Sequence, residues 1–167
     1  MASVEERLSA LESAVARLSR AQESGTETGQ APVTPTGDFW LLNELLRRTP
    51  NGELAYAGHV ELPAGPVRWQ MSTDPEELLQ ADWHERASRL AALAHPVRLR
   101  LLQLVLGGVC TTAQLADDDG LGTTGQLHHH LRQLVAAGWL VSTGRGRYAV
   151  PPARVIPLLL TVAAAGE

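Results

Sequence analysis

The stretch from Gly122 to Leu140, GTTGQLHHHLRQLVAAGWL, limits the possible folds of this chain more than any other part of it. Thr123 or Thr124 can cap the unpaired amides of a first helical turn, and Gly138 can end a helix. Between them, leucines recur at steps of four and three residues, which predicts one buried face. These leucines are Leu127, Leu131 and Leu134. We therefore expect a helix over about residues 123–137 that packs on the rest of its domain.

The opposite face of this predicted helix carries side chains that can form hydrogen bonds and little apolar surface. A helix of this kind suits presentation to a groove of nucleic acid. The sequence that follows, WLVSTGRGRYAV, predicts two short strands around a Gly-Arg-Gly turn over about residues 139–150. A helix followed directly by a hairpin with a basic tip is the layout of a winged helix-turn-helix. The same pattern also occurs in many α+β domains that bind no DNA.

The net charge of −4 gives no global signal for a polyanionic partner, but the charge is unevenly distributed along the chain. Residues 1–95 hold 8 arginines against 14 acidic residues, a net charge of −6. Residues 96–166 hold 6 arginines against 3 aspartates, a net charge of +3. This asymmetry is expected when only one part of a chain meets phosphate.

Residues 1–22 show a heptad pattern that is typical of a coiled-coil helix. A single helix of this size is marginal in water, so its apolar seam needs a partner. Self-association is one interpretation, and packing on its own domain is the other. The seam consists of Val4, Leu8, Leu11, Val15 and Leu18. Residues 23–37 are rich in Gly, Ser, Thr and Pro, and we expect them to form a flexible linker.

Residues 38–73 predict a small module of one helix and one β-hairpin. The helix is DFWLLNELLRR, capped by Asp38, and the strands GELAYAGHVEL and PVRWQM are joined through residues 63–65. A module of this size is not stable alone, so it packs either on the C-terminal domain or on a second copy of itself. Its aromatic residues could line a sensory pocket or belong to the core; they are Trp40, Tyr56 and Trp69.

Residues 74–167 contain the remaining predicted helices. The pattern predicts a long helix from Asp74 to His95, a second from Pro96 to about Gly107, and a short helix capped by Thr111 or Thr112. The fold class is therefore mainly α with small β. In full, we expect a winged helix-turn-helix domain, preceded by the helix-plus-β-hairpin module and the N-terminal coiled-coil helix.

From LAALAHPVRLRLLQLVLGG onward, the sequence resembles the ArsR/SmtB-type winged-helix repressors of bacteria, of an actinobacterial type. The likeness continues through TTAQLA, the 123–137 helix and AAGWLV, and covers roughly residues 82–165. The resemblance implies a homodimer that places one recognition helix per subunit in successive major grooves of a roughly palindromic operator. It also implies that residues 139–150 form a wing on the DNA backbone.

The resemblance further implies which positions of this chain contact DNA. The DNA-facing stretch corresponds to Thr123, Thr124, Gly125, Gln126, His128 and His129. Within it, Gln126 could pair with adenine, and Thr124 could contact a phosphate or a thymine methyl. Candidates for backbone phosphates are Arg132, Arg145 and Arg147. His130 corresponds to a position that supports the helix. The closing segment resembles a dimerisation helix whose apolar face is Val155, Ile156, Leu159, Leu160 and Val162.

The sequence also departs from the family. Many members sense metal through paired thiols, yet here Cys110 stands alone, and the C-terminal helix has no histidine. His128, His129 and His130 are adjacent and so spread around a helix, which prevents them from chelating one ion easily. We therefore predict no metal site and no cofactor. The aspartates at residues 117–119 would repel phosphate beside the predicted DNA surface.

These observations predict a sequence-specific DNA-binding transcriptional regulator, a repressor that acts as a homodimer or a higher oligomer, with no enzymatic activity. Its partners would be double-stranded DNA, itself and a small-molecule or protein effector. The alternative is a winged-helix interaction module that binds no DNA and recruits a partner through its coiled coil. The single cysteine and the lack of a signal peptide or an apolar run of membrane length favour a cytoplasmic protein, associated with the nucleoid when bound to DNA.

Overall fold

The part of the chain that the structure describes is mainly helical, with two small antiparallel hairpins. A computed structural model describes residues 39–49 and 51–166. The predicted coiled-coil helix (1–22) and linker (23–37) lie outside these residues, as do Asp38 and Glu167. The helices are α1 (Trp40–Arg48), α2 (Pro75–Gln80), α3 (His84–Leu93), α4 (Pro96–Leu106), α5 (Thr112–Ala116), α6 (Thr124–Ala136) and α7 (Pro152–Ala164). The strands are β1 (Leu54–Leu62), β2 (Gly65–Thr73), β3 (Val141–Gly144) and β4 (Arg147–Ala149), and a 3₁₀ turn spans Asp119–Leu121.

The chain divides into two compact units between residues 50 and 51. In the first unit, α1 carries an internal ion cluster in which Glu44 accepts hydrogen bonds from Arg47 and Arg48. All other elements named above belong to the second unit. The division falls inside the segment 38–73 that the sequence predicted as one module, because the hairpin groups with the C-terminal part of the chain.

The β1–β2 hairpin packs on α7, so the hairpin part of the predicted module lies on the C-terminal part of its own chain. The strands pair antiparallel from Leu54 with Thr73 to Leu62 with Gly65, so a two-residue turn joins them. Alternate residues from Tyr56 to Leu62 are half-buried, as the period of two predicts. Gly58 faces Ile156 so closely that a Cβ on Gly58 would lie 2.7 Å from the Ile156 Cδ1 atom. Glycine therefore allows the hairpin to approach the helix.

The predicted continuous helix from Asp74 to His95 is wrong, because the structure divides it into α2 and α3. Ala81 is extended, with ψ at 150°. Asp82 then accepts a hydrogen bond from the His84 amide at 2.9 Å, and the Trp83 indole nitrogen donates to the Leu78 carbonyl at 2.8 Å. Side chains thus satisfy backbone groups at both new helix ends, which stabilises the break.

The hydrophobic core lies where α4 and α6 meet, with contributions from α3, α5, β4 and α7. The fully buried side chains come from helices and from the segments that connect them. They are Leu101, Leu102, Leu115, Leu121, Leu127, Leu131, Leu134, Leu140 and Val155. Because both helices bury leucines at helical spacing, α6 is fixed rigidly on α4. In the described part of the chain, no helix is both long enough and apolar enough to cross a bilayer.

The apolar stripe of α7 is buried at its N-terminal end and exposed at its C-terminal end, and this corrects the predicted dimerisation surface. Val155 and Ile156 are each only 2% exposed, since they pack inside their own chain beneath the β1–β2 hairpin. They are therefore not available to a second subunit in this structure. Leu159, Leu160 and Val162 remain 36–47% exposed. The hairpin covers the first part of this stripe and leaves the apolar residues of the later turns exposed.

Candidate functional site

The N-terminus of α6 is built as a capping box. The Thr123 hydroxyl accepts a hydrogen bond from the Gln126 amide at 3.4 Å, and the Gln126 side-chain oxygen accepts one from the Thr123 amide at 2.9 Å. Two otherwise unpaired amides are satisfied in this way, which fixes where the helix begins. The predicted cap at Thr123 is confirmed, and the helix ends at Ala136, one residue before the expected bound.

The capping box gives Gln126 a structural role that the sequence analysis did not foresee. Pairing with adenine requires the carboxamide oxygen and nitrogen together. Here Gln126 Oε1 is bonded to the Thr123 amide and lies 3.3 Å from the Thr123 hydroxyl. The side chain must therefore leave the cap, or offer only its amide nitrogen, in order to contact a base.

The residues predicted to contact nucleic acid are all exposed. Seven lie on α6 or at its cap: Thr123, Thr124, Gly125, Gln126, His128, His129 and Arg132. The other two lie in the β3–β4 hairpin, at Arg145 and Arg147. No acidic residue occurs in α6, and a Cβ on Gly125 would meet no atom within 4 Å. This face is consequently polar and open, while the leucines on the opposite face are 0–1% exposed.

His130 differs from its two histidine neighbours because it turns inward. Its ring contacts that of His95 at an interplanar angle of 46°, with the ring centroids 4.6 Å apart, and its Nδ1 atom is buried without a hydrogen-bond partner among the described residues. Burial lowers the pKa of His130 below its ordinary value of 6.5, and the charges of His95, His129 and Arg98 lower it further. The sequence gives no signal for this pair, since the two residues are distant in the chain and only folding brings α4 and α6 together.

The short helix α5 and the turn after it connect α4 to α6. Thr111 and Gln114 form a second capping box of the same kind as that in α6. Asp118 then accepts two hydrogen bonds from Arg100, at 2.8 and 3.1 Å, and caps the 3₁₀ turn through the Gly120 amide at 3.0 Å. Of the acidic run at residues 117–119, the central carboxylate is thus paired and structural. Asp117 and Asp119 remain exposed.

The β3–β4 hairpin is attached to the start of α5 and to the residues just before it. The amide and the hydroxyl of Thr112 both donate to the Gly146 carbonyl at 2.8 Å, and the Tyr148 amide donates to the Cys110 carbonyl at 2.8 Å. Gly146 has a φ of 69°, and a Cβ there would lie 2.8 Å from the Thr112 hydroxyl oxygen, so this position requires glycine. Arg145 is held at the exposed turn with a φ of 50°.

The two arginines of this hairpin differ in their surroundings. The Arg147 guanidinium donates a hydrogen bond to the Cys110 sulfur at 3.1 Å, whereas Arg145 makes no side-chain hydrogen bond within the described residues. Because α6 and β4 both pack on α4, one helix carries both candidate surfaces.

Within residues 39–49 and 51–166, no three His, Cys, Asp or Glu side chains are grouped so that they could hold a metal ion.

Comparison with known proteins adds little to this description. No protein-family model and no curated protein matches the chain. Among solved structures, the crystal structure of M. tuberculosis Rv0081 is similar, at 27% sequence identity over 56% of this chain and 89% of that chain. Its TM-score is 0.38, which carries no argument about fold or function.

Proposed function

We propose that this protein is a sequence-specific DNA-binding transcriptional regulator, a repressor with no catalytic role, built on a winged helix-turn-helix domain. Helix α6 enters the major groove, and the β3–β4 hairpin is the wing that contacts the DNA backbone. One observation carries the proposal: α6 buries its leucines against α4 and exposes a face without carboxylates. A rigidly supported, polar and unobstructed helix is what major-groove readout requires.

The side chains divide into two groups by chemistry. Thr124, His128 and His129 have donors and acceptors that can reach base edges. Arg132 on α6 and Arg145 at the wing turn are cations suited to phosphate, and both are exposed. Gln126 and Arg147 are less free to act, because the first caps α6 and the second bonds to the Cys110 sulfur.

The regulator acts as a homodimer. Two-fold symmetry lets one recognition helix from each subunit reach successive major grooves of a palindromic site. The exposed face of α7 supports this step, because Leu159, Leu160 and Val162 form an apolar patch that a second copy can cover. The heptad seam of residues 1–22 is a further candidate for association and lies outside the described residues.

The experiment is selection of genomic fragments by the purified full-length protein, followed by affinity measurements at several salt concentrations. We expect retained fragments to share a palindromic sequence, with affinity that falls steeply as salt rises. Arg132→Gln and Arg145→Gln should each reduce the magnitude of the salt slope by about 0.9, since each removes one phosphate contact.

The matched control is Arg86→Gln, which removes the same charge from the exposed surface of α3. This variant should leave the salt slope unchanged. Absence of any mobility shift with duplex DNA of many sequences at low salt would contradict the proposal, and so would an equal loss in all three variants.

A second candidate function is a protein-interaction module that has the same fold but binds no DNA. The exposed carboxylates of Asp117 and Asp119, directly before α6, favour this alternative because they repel phosphate. It predicts a partner whose capture depends on residues 1–22 and is unaffected by His129→Ala and Arg132→Gln. Loss of capture in the α6 variants would contradict it.

A further inference from the structure

A cavity lies between the tip of the β1–β2 hairpin, the C-terminal end of α4, strand β4 and the start of α7. Its volume is about 560 Å³, which is within the range of small-molecule sites. The hairpin closes one side of the cavity, since Pro63 in the two-residue turn approaches Gly108 at the end of α4. The predicted sensory pocket was to be lined by Trp40, Tyr56 and Trp69, and none of these residues lines this cavity.

The floor of the cavity is apolar. Three of its lining residues belong to the hydrophobic core and are 2–9% exposed: Val105, Val150 and Val155. Half-buried Leu62 and Val67 extend this surface from the hairpin. A hydrocarbon group placed here is removed from water on several sides, which favours binding of an apolar ligand body.

The charged residues of the cavity have one sign. Arg68 from β2 and Arg147 from β4 line it, and no acidic residue does so among the described residues that surround it. Arg147 donates a hydrogen bond to the Cys110 sulfur, which is a weak acceptor. Its other guanidinium N–H groups are left to bind a stronger acceptor. A carboxylate is such an acceptor, because charge-assisted bonds to guanidinium are about twice as strong as neutral ones.

We infer that this cavity binds a small amphipathic carboxylate. The hydrocarbon body lies on the valine floor, and the carboxylate pairs with Arg68 and Arg147. A neutral apolar molecule would give the two guanidinium groups no charged acceptor in the cavity, and a cationic one would be repelled by them. The site goes beyond the proposed DNA binding and does not rest on it.

The test is isothermal titration calorimetry of the full-length protein without DNA, with octanoate as the probe and 1-octanol as its uncharged counterpart. We expect one saturable octanoate site and more than about tenfold weaker binding of 1-octanol, because the alcohol lacks the charge-assisted bonds to both arginines and one such bond is worth about a factor of ten. Arg68→Gln should weaken octanoate binding about tenfold and leave 1-octanol binding unchanged, and Arg68→Lys should restore much of the loss.

Two further variants locate the site. Ala64→Trp places a large side chain at the exposed hairpin turn and should abolish binding of both probes, while Arg86→Gln on α3 should change neither. In the unaltered protein, octanoate should shift the methyl resonances of Val105, Val150 and Val155, which requires no substitution. Equal affinity for octanoate and 1-octanol, octanoate binding that survives Ala64→Trp, or no saturable binding at all would overturn the inference.

Discussion

Gln126 illustrates how one side chain can serve either local structure or recognition. Its carboxamide oxygen accepts the Thr123 amide at 2.9 Å and so completes the cap of α6. Leaving that position for a base would return an unpaired amide to the helix end. In the proposed complex, the cost of uncapping is therefore subtracted from any gain in base pairing.

Substitutions at Gln126 separate these two roles. Gln126→Ala removes the acceptor and should lower the free energy of unfolding by about 0.5–1 kcal/mol. Gln126→Glu keeps an oxygen for the Thr123 amide and should retain the stability of the native protein, although it loses the amide donor that adenine readout requires. Urea denaturation measures the difference. Equal stability of the alanine variant and the native protein would show that the cap contributes nothing.

His130 makes the stability of the fold depend on pH. Its pKa in the folded state is lowered from 6.5 by burial, with His95, His129 and Arg98 adding to the effect. As the pH falls below about 6.5, the unfolded chain therefore binds more protons than the folded one, and stability is lost until the folded-state pKa is reached. We expect Tm to fall between pH 7 and pH 5, and His130→Leu to make this fall shallower.

His128→Gln is the control for this prediction, because it removes a neighbouring histidine that is exposed on the same helix. Its Tm profile against pH should follow that of the native protein. A His130→Leu variant with an unchanged slope would mean that other groups cause the acid sensitivity.

Among the elements, the β1–β2 hairpin depends on one close approach to α7. A Cβ on Gly58 would lie 2.7 and 2.9 Å from two atoms of buried Ile156. Gly58→Val should therefore destabilise the fold by about 1–3 kcal/mol through overpacking. Combining it with Ile156→Val should cost less than the sum of the two single changes, because the second makes room for the first. Thermal unfolding of the four proteins measures the coupling.

Gly125, in contrast to Gly58, has open space where a side chain would lie. It is exposed near the start of α6, and a Cβ there would meet no atom within 4 Å. Gly125→Ala should therefore raise the free energy of unfolding by about 0.5–1 kcal/mol, since alanine restricts the unfolded chain. A loss of stability from this change would contradict the open environment of the α6 face.

For the whole molecule, the exposed C-terminal part of the apolar stripe of α7 determines the expected assembly. Leu160 is 40% exposed and lies one helical turn after Ile156, the residue that contacts the hairpin. Leu160→Glu should convert a dimer into a monomer with little change in Tm. The new carboxylate is exposed to water in the single chain, but it would be buried without a partner in the dimer interface, which is strongly unfavourable. Light scattering gives the mass, and Leu90→Glu on exposed α3 is the control. An unchanged dimer in Leu160→Glu would exclude this face.

The sequence by itself determined the local elements and their faces. Period and capping chemistry act within a few residues, so the leucine face of α6, the Thr123 cap, the two strands of the β1–β2 hairpin and the end of α4 at Gly107 could all be predicted, although Gly65 belongs to β2 and not to the connection. The same local rules failed at residues 81–83, where two side chains return to backbone groups of neighbouring turns and divide one predicted helix into two.

Only the tertiary structure decided which surfaces meet. Val155 and Ile156 belong to the core rather than to an open face because a hairpin about one hundred residues earlier covers them. The contact between the His130 and His95 rings, the pairing of Arg100 with Asp118 and the cavity beside Arg68 arise in the same way. Such contacts depend on how whole elements pack, and the hydrophobic burial that drives packing is non-directional, so residue patterns alone do not specify them.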